Sequence, residues 1–597
     1  MKITNQLKLA AAVAAGMTLI GCGSSSSDDG IKKVFNCTDD TTSGARVICI
    51  GEADDLSDSK VQTELMDALL SSETGDTFVF PQGRYQLTQT IAFQGKNGDN
   101  VDVDNLTFKG AGMDKTIFDV SGASADGFKL ENTDNLVFED FGVYESNNNA
   151  IKVIGSDGVI MRRVATVWET DYQATNGAYG LYPVESSNIL IEDSFVKGSA
   201  DAGIYVGQSS NIVVRNNIAE KNVAGIEIEN SNYADVYNNI ARGNTGGILV
   251  FDLPIGNGKY GSDVRVFDNI IEANNAPNFA AGCTDAQVAA DTCFEGGVHI
   301  VPPGTGVIVL STSNVEIYEN TITDHKTIGV AITSYMMPDD RVAEEPNQNV
   351  GTEVFKYSDI SKFADKYLDG WSPFVNGINI HDNTITVAEG VNAPEGKLIN
   401  DLLLGVGSLQ STLGIISGDE RTQLPSIFYD GVGELLAVTP YGETSNSIMA
   451  TIAGGIDQIA QALDANSLET AGERIDNTEI IPFTGMLYGT DASSVCQSAN
   501  LDANNAAVNA AAIYATTPSA GLFSDSGTPY SKVELAIGAL QQETPDTAAA
   551  MALANSILND DSMTCSGTAY KGSASTATIN GVAYGCGSDD NGDSCSL

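Results

Sequence analysis

Lys152, Tyr182, Tyr205 and Glu227 hold equivalent places in four successive apolar segments: Ile151-Lys152-Val153, Leu181-Tyr182-Pro183, Ile204-Tyr205-Val206 and Ile226-Glu227-Ile228. An amine, two phenols and a carboxylate in one column suit both proton transfer and sugar binding. Aromatic faces stack on C–H groups, and polar tips hydrogen-bond to hydroxyls. A loop just before Gly180 carries Trp168, Asp171, Tyr172 and Tyr179, including one of only two tryptophans in the chain. Substrate contacts are therefore expected from Trp168, Tyr172, Tyr179, Tyr182, Tyr205 and Glu227, with Lys152 as the catalytic base. Asp171, Asp201 and Glu229 are the expected calcium ligands, being hard oxygen donors near the same rungs. The same tyrosines also suit a purely structural stack on adjacent strands.

A lyase or epimerase acting on acidic sugars needs a base and a cation that neutralises the sugar carboxylate. Arg162 and Arg163 offer such a cation. They also fall in a column that reads Lys109, Glu139, Arg162, Glu192, Arg215, with Arg163 between Asp140 and Asp193 in the next. Charges alternating from strand to strand pair with one another, and that structural role is the simpler expectation. His299, in Gly297-Val298-His299-Ile300, is expected on a strand in a structural role.

What must position these residues is a repeat. Gly203, Gly225 and Gly247 each open a short apolar strand, at intervals of 22 residues. A second set starts at Asn105, Asn135, Gly158, Asn188, Asn211 and Tyr233. A period near 22 built of strands is the mark of a parallel solenoid. Strand alternation points Ile204, Val206, Ile226 and Ile228 inward and the chemical column outward, with neighbours about 4.8 Å apart. The expected fold is all-β, a right-handed parallel β-helix with an N-terminal cap and an α-rich C-terminal region. Asn217, Asn239, Asn269, Asn320 and Asn383 recur after the second strand and predict a stacked amide ladder in the turn.

The 597 residues divide accordingly. Residues 1–21 read as a signal peptide, since the apolar run Leu9 to Ile20 is short and preceded by Lys2 and Lys8. Residues 22–30 read as a Ser-rich tether. Residues 31–100 form the cap, with helical periodicity at Val61, Leu65 and Leu69, and 101–390 the solenoid. Residues 391–597 turn Ala-rich and acidic and are expected to hold helices with a few strands. No later segment is apolar for long enough to be a transmembrane helix.

The ending Leu19-Ile20-Gly21-Cys22 resembles the bacterial lipobox. That resemblance implies cleavage before Cys22, lipidation of its thiol and, with Gly23 following, export to the outer membrane. The remaining eight cysteines suit an oxidising compartment. Cys37 with Cys49 and Cys283 with Cys293 are close in sequence, and Cys496, Cys565, Cys586 and Cys595 would pair among themselves. Without Lys2 and Lys8, 28 of the 30 basic residues remain against 78 acidic ones, a net charge of −50. This argues against nucleic acid and other polyanions as electrostatic partners.

The runs Tyr179-Gly-Leu-Tyr-Pro-Val-Glu-Ser-Ser-Asn, Asp201-Ala-Gly-Ile-Tyr-Val-Gly-Gln and Ala224-Gly-Ile-Glu-Ile-Glu resemble the exported parallel β-helix repeat lipoproteins of Gram-negative bacteria. That family has no settled activity. Its genes tend to neighbour one for an exported di-haem c-type cytochrome, which the resemblance makes a candidate partner. The rungs are more distantly similar to alginate C5-epimerases and polysaccharide lyases. The Asp-Pro-His-Asp motif of the epimerases does not occur here. Two functions are therefore expected in competition. One is a lipid-anchored envelope protein that binds a polysaccharide and processes it as a lyase or epimerase. The other is an envelope scaffold for a protein partner, which would expose an apolar patch over Leu249, Ile308 and Ala331.

Overall fold

The computed structural model describes residues 31–40, 45–253, 259–280, 297–333, 375–387, 426–429, 495–508, 510–512 and 569–586, with a few single positions between 546 and 565. The parallel β-helix is present. One rung is built from the strands Ala202–Gly207, Ser210–Arg215 and Ile218–Glu220, and the next repeats it as Ala224–Glu229, Asn232–Tyr237 and Ile240–Arg242. Each strand pairs in parallel with its counterpart one rung on, as in Ile204↔Ile226, Ile226↔Ile248 and Ile248↔Val307. The first strands of the rungs make an 11-stranded sheet, and the second and third strands belong to a 20-stranded one.

The inward residues form one continuous core. Ile204, Ile226, Ile248, Val307 and Val330 are fully buried in it. A column of branched side chains in register packs without gaps because each rung presents the same outline to the next. The first turns are covered by the helix Asp58–Leu70, which buries Val61, Leu65, Ala68 and Leu69. Its N-cap Ser57 accepts from the Lys60 amide, satisfying one of the free N–H groups at the helix start. Cys37 and Cys49 are disulfide-bonded beside it.

The asparagine ladder runs as the spacing predicts and one rung further, to Asn500. Asn217 Nδ2 donates to Asn239 Oδ1 (3.0 Å), Asn239 to Asn269 (3.0 Å) and Asn383 to Asn500 (2.8 Å). A second ladder joins Asn222, Asn244 and Asn274 and ends at His325, whose Nε2 lies 3.1 Å from Asn274 Nδ2. Burial pushes the His325 pKa down to about 3, so the ring is neutral and accepts the amide proton.

Rungs continue beyond residue 390. Ile427–Tyr429 pairs with Ile328–Thr333, and Val495–Ser498 pairs with Asn376–His381. Cys496 is bonded to Cys565 and Cys586 is also disulfide-bonded. Cys22, Cys283, Cys293 and Cys595 lie outside the described residues, as do the expected helices near 452–463. Residues 569–586 then run back over the outer face of the large sheet. Gly572 N donates to Glu316 (2.9 Å), Ser575 N to Asp235 (3.0 Å) and Thr578 N to Asn188 (3.1 Å). Ala577 and Ile579 pack on Ile160, Leu190, Val213 and Tyr237. Sequence periodicity gave no sign of this strap, because its partners lie hundreds of residues away. Among the described residues no helix is long and apolar enough to cross a membrane.

Candidate functional site

The alternating charges are structural. Lys109 bonds Glu139 (2.6 Å), Arg163 bonds Asp140 (2.6 Å), and Glu192 takes both Arg162 and Arg215. Both Arg162 and Arg163 are ion-paired within the sheet, as the alternation predicts.

The chemical column assembles on the first strands of the same rungs, in the 11-stranded sheet. Strand pairing sets Lys152 beside Tyr182 and Tyr205 beside Glu227. The loop before Gly180 lays Tyr179 against both tyrosines, with ring centroids 4.5 Å from Tyr182 and 4.6 Å from Tyr205. Tyr182 and Tyr205 meet edge to face at 4.9 Å. Lys152 Nζ sits over the Tyr182 ring, 4.7 Å from its centroid, a cation–π contact. Three carboxylates close the cluster. Tyr205 Oη donates to Glu229 Oε1 (2.8 Å), and Tyr179 hydrogen-bonds to Asp201. Glu227 is 1% exposed and its Oε2 has no hydrogen-bond partner.

Burial governs the electrostatics. It pushes Asp201 up to about 8 against the opposing Tyr179 hydrogen bond, with Glu229 adding to the rise. It pushes Glu229 up to about 7 and Glu227 well above the carboxylate range. These groups therefore hold protons near neutral pH, where ordinary carboxylates are ionised.

The column is not an open groove. Tyr205 and Glu227 are buried, and so are Leu249, Ile308 and Ala331, so the expected apolar docking patch is not at the surface. Access comes from the side. Asp201 is half-buried and borders a cleft of about 280 Å³, with Asn147, Asn148, Asn176, Ala178 and His299 around it. His299 stands on the 3-10 turn Gly297–Ile300 rather than on a strand. Neither the cleft nor the part of His299 was legible in the sequence, since the turn reaches the cleft from about a hundred residues away.

Three expected site residues stand elsewhere. Trp168 belongs to the interior core, and its Nε1 donates to Ser146 O (2.7 Å). Tyr172 bonds Gly243 O (3.2 Å) and meets Phe279 edge-on at 5.6 Å. Asp171 is taken by Lys197 (3.0 Å) and Lys221 (2.6 Å), so two ammonium groups occupy the place a cation would take. Among the described residues no group of three or more His, Cys, Asp or Glu is arranged to hold a metal ion.

Residues 91–254 match the family model described as the right handed beta helix region. Among solved structures, the A-module of the mannuronan C-5 epimerase AlgE4 of Azotobacter vinelandii is similar at 15% identity, over 58% of this chain and 88% of that one, with a TM-score of 0.30. Polygalacturonase from Erwinia carotovora ssp. carotovora is similar at 10% identity, over 60% and 97% of the two chains, with a TM-score of 0.35. A DFA-IIIase from Arthrobacter chlorophenolicus A6 in complex with DFA-III aligns at 11% identity over 59% and 86%, with a TM-score of 0.34. No curated protein matches the chain. The fold assignment rests on the strand registers and the family model.

Proposed function

We propose that this protein binds and processes a polysaccharide at the cleft over Asp201, held at the outer membrane by a lipid on Cys22. The observation that carries the chemistry is the convergence of Asp201, Glu227 and Glu229 on Tyr179, Tyr182 and Tyr205, with Asp201 reaching the cleft. A carboxylic acid protonated near neutrality is a proton donor for a sugar oxygen. The Tyr179 hydrogen bond orients it, and Glu229 beyond the tyrosines resists full ionisation of the group. Lys152 holds Tyr182 in place and is the second candidate for proton transfer. The anchor is supported by the lipobox-like ending at Cys22 alone.

A glycan array with the chain from Ser24 onward, with and without calcium, tests the reading, followed by product analysis on each hit. Binding that yields a changed product, lost in Asp201→Asn, is the expected result. Full turnover by Asp201→Asn would remove Asp201 from the chemistry. No binding to any glycan would overturn the reading in favour of a protein partner, with an exported c-type cytochrome the first to try.

A further inference from the structure

The strand Ala202–Gly207 begins after Asp201 at the cleft, and its other end opens on a larger groove of about 530 Å³. The groove crosses five rungs at the turn between the first and second strands, from Asp134 to Asn232. Equivalent turn positions stack along it: Glu185, Gln208 and Asn230, then Ser187, Ser210 and Asn232. Five rungs span about 19 Å at the usual strand spacing. One rung advances by close to the length of one pyranose unit in an extended chain.

The lining is specific in kind. Hydroxyl and amide groups dominate, which both donate and accept, as sugar hydroxyls do. Two of the three carboxylates bond within the rungs. Asp157 Oδ1 accepts from Ser187 Oγ (2.7 Å) and Asn188 Nδ2 (2.6 Å), and Asp134 Oδ1 accepts from Asp157 N (2.8 Å). They form a spaced row rather than a cage, which disfavours a metal ion. Among the described lining residues Lys259 is the one cation, against Asp134, Asp157 and Glu185. A polyanion would meet net repulsion there. Ser156 also borders the groove. It is 2% exposed, and its Oγ has no hydrogen-bond partner, an unusual state for a buried hydroxyl.

We infer that this groove is a second carbohydrate site, which takes a neutral glycan chain along the solenoid axis. The groove meets the first site through Gln208, whose Nε2 lies 3.5 Å from the same Tyr205 Oη that donates to Glu229. The inference stands on the groove's own lining and not on chemistry at Asp201.

Calorimetry with neutral hexasaccharides (cello-, xylo-, manno- and laminarihexaose) and with an oligogalacturonate as the anionic probe tests it. The expected result is binding of at least one neutral hexamer and none of the anionic one. Ser210→Trp, which fills the groove from a half-exposed position, should weaken that binding at least tenfold, while Asp201→Asn leaves it unchanged. Hydrogen exchange on the unmodified protein should show the bound hexamer protecting amides at 185–187 and 208–210. No neutral binding, equal or tighter binding of the oligogalacturonate, or no protection at those amides would overturn the inference. Binding lost in Asp201→Asn and kept in Ser210→Trp would also overturn it, and would leave the cleft over Asp201 standing as the only glycan site.

Discussion

Loss of stability at alkaline pH is the sharpest consequence of the buried acids. Ordinary values for Asp201 and Glu229 are 3.8 and 4.5, and the folded protein raises them to about 8 and about 7. Above pH 6 the unfolded chain has released both protons and the folded chain has not. The folded state binds more protons, so stability must fall as pH rises, and each group takes away about 1.4 kcal/mol per pH unit until the pH passes its folded value. Between pH 6 and 9 Glu229, whose folded value is passed near pH 7, accounts for about 1.4 kcal/mol. Asp201, screened at the cleft, adds about 1 kcal/mol. Thermal melts at pH 6, 7, 8 and 9 would compare the native chain with Asp201→Asn/Glu229→Gln, which keeps an acceptor for Tyr205. Asp252, also buried and near 8, remains in both chains, and because Glu229 contributes to its rise the double variant lowers it too and adds to the divergence in the same direction. The native melting temperature should fall more steeply with pH, and the two curves should diverge by the equivalent of about 2–3 kcal/mol. Parallel curves would refute the claim that these carboxyls are protonated in the fold.

Two further outcomes follow from the architecture. Asn239 accepts from both nitrogens of Asn217 and donates to Val214 O and Asn269 Oδ1, so Asn239→Ala strands several buried partners. It should cost about 2–4 kcal/mol in chemical denaturation, and a change within error would show that the ladder is dispensable. Asp235 holds the almost fully buried Arg265 (2.8 Å) and accepts from Ser575 of the strap. Asp235→Ala leaves an unpaired buried cation, should cost about 3–5 kcal/mol, and should expose residues 569–586 to limited proteolysis. An unchanged cleavage pattern would mean that the strap is held by its apolar contacts and disulfides instead.

The solenoid was legible because its information is local and repeated. A strand that buries Ile204 and Val206 announces itself by alternation, and the next rung repeats the pattern 22 residues on. Register follows, since slipping one residue would turn Tyr205 inward and Ile204 outward. That is why the outward column, the charge pairs around Arg162 and Arg163 and the first asparagine ladder all stand where the spacing places them. The cap helix was legible for the same reason, with Val61, Leu65 and Leu69 on one face.

Tertiary structure decided what covers those faces. Outward is not the same as exposed, and periodicity carries no record of segments that return from a distance. Glu227 and Leu249 face away from the core and are buried all the same, whereas Asp201 keeps an edge on solvent. Trp168 looked like a sugar platform by type and became core. Asp171 looked like a calcium ligand and went to Lys197 and Lys221. The same distant covering sets the proton affinities. A carboxylate's charge is stable in water and costly without it, so the solvent removed from Asp201, Glu227 and Glu229 turns three ordinary acidic residues into a protonated cluster. Residue types along the chain determined which groups stand in line, and the fold determined which of them meet water.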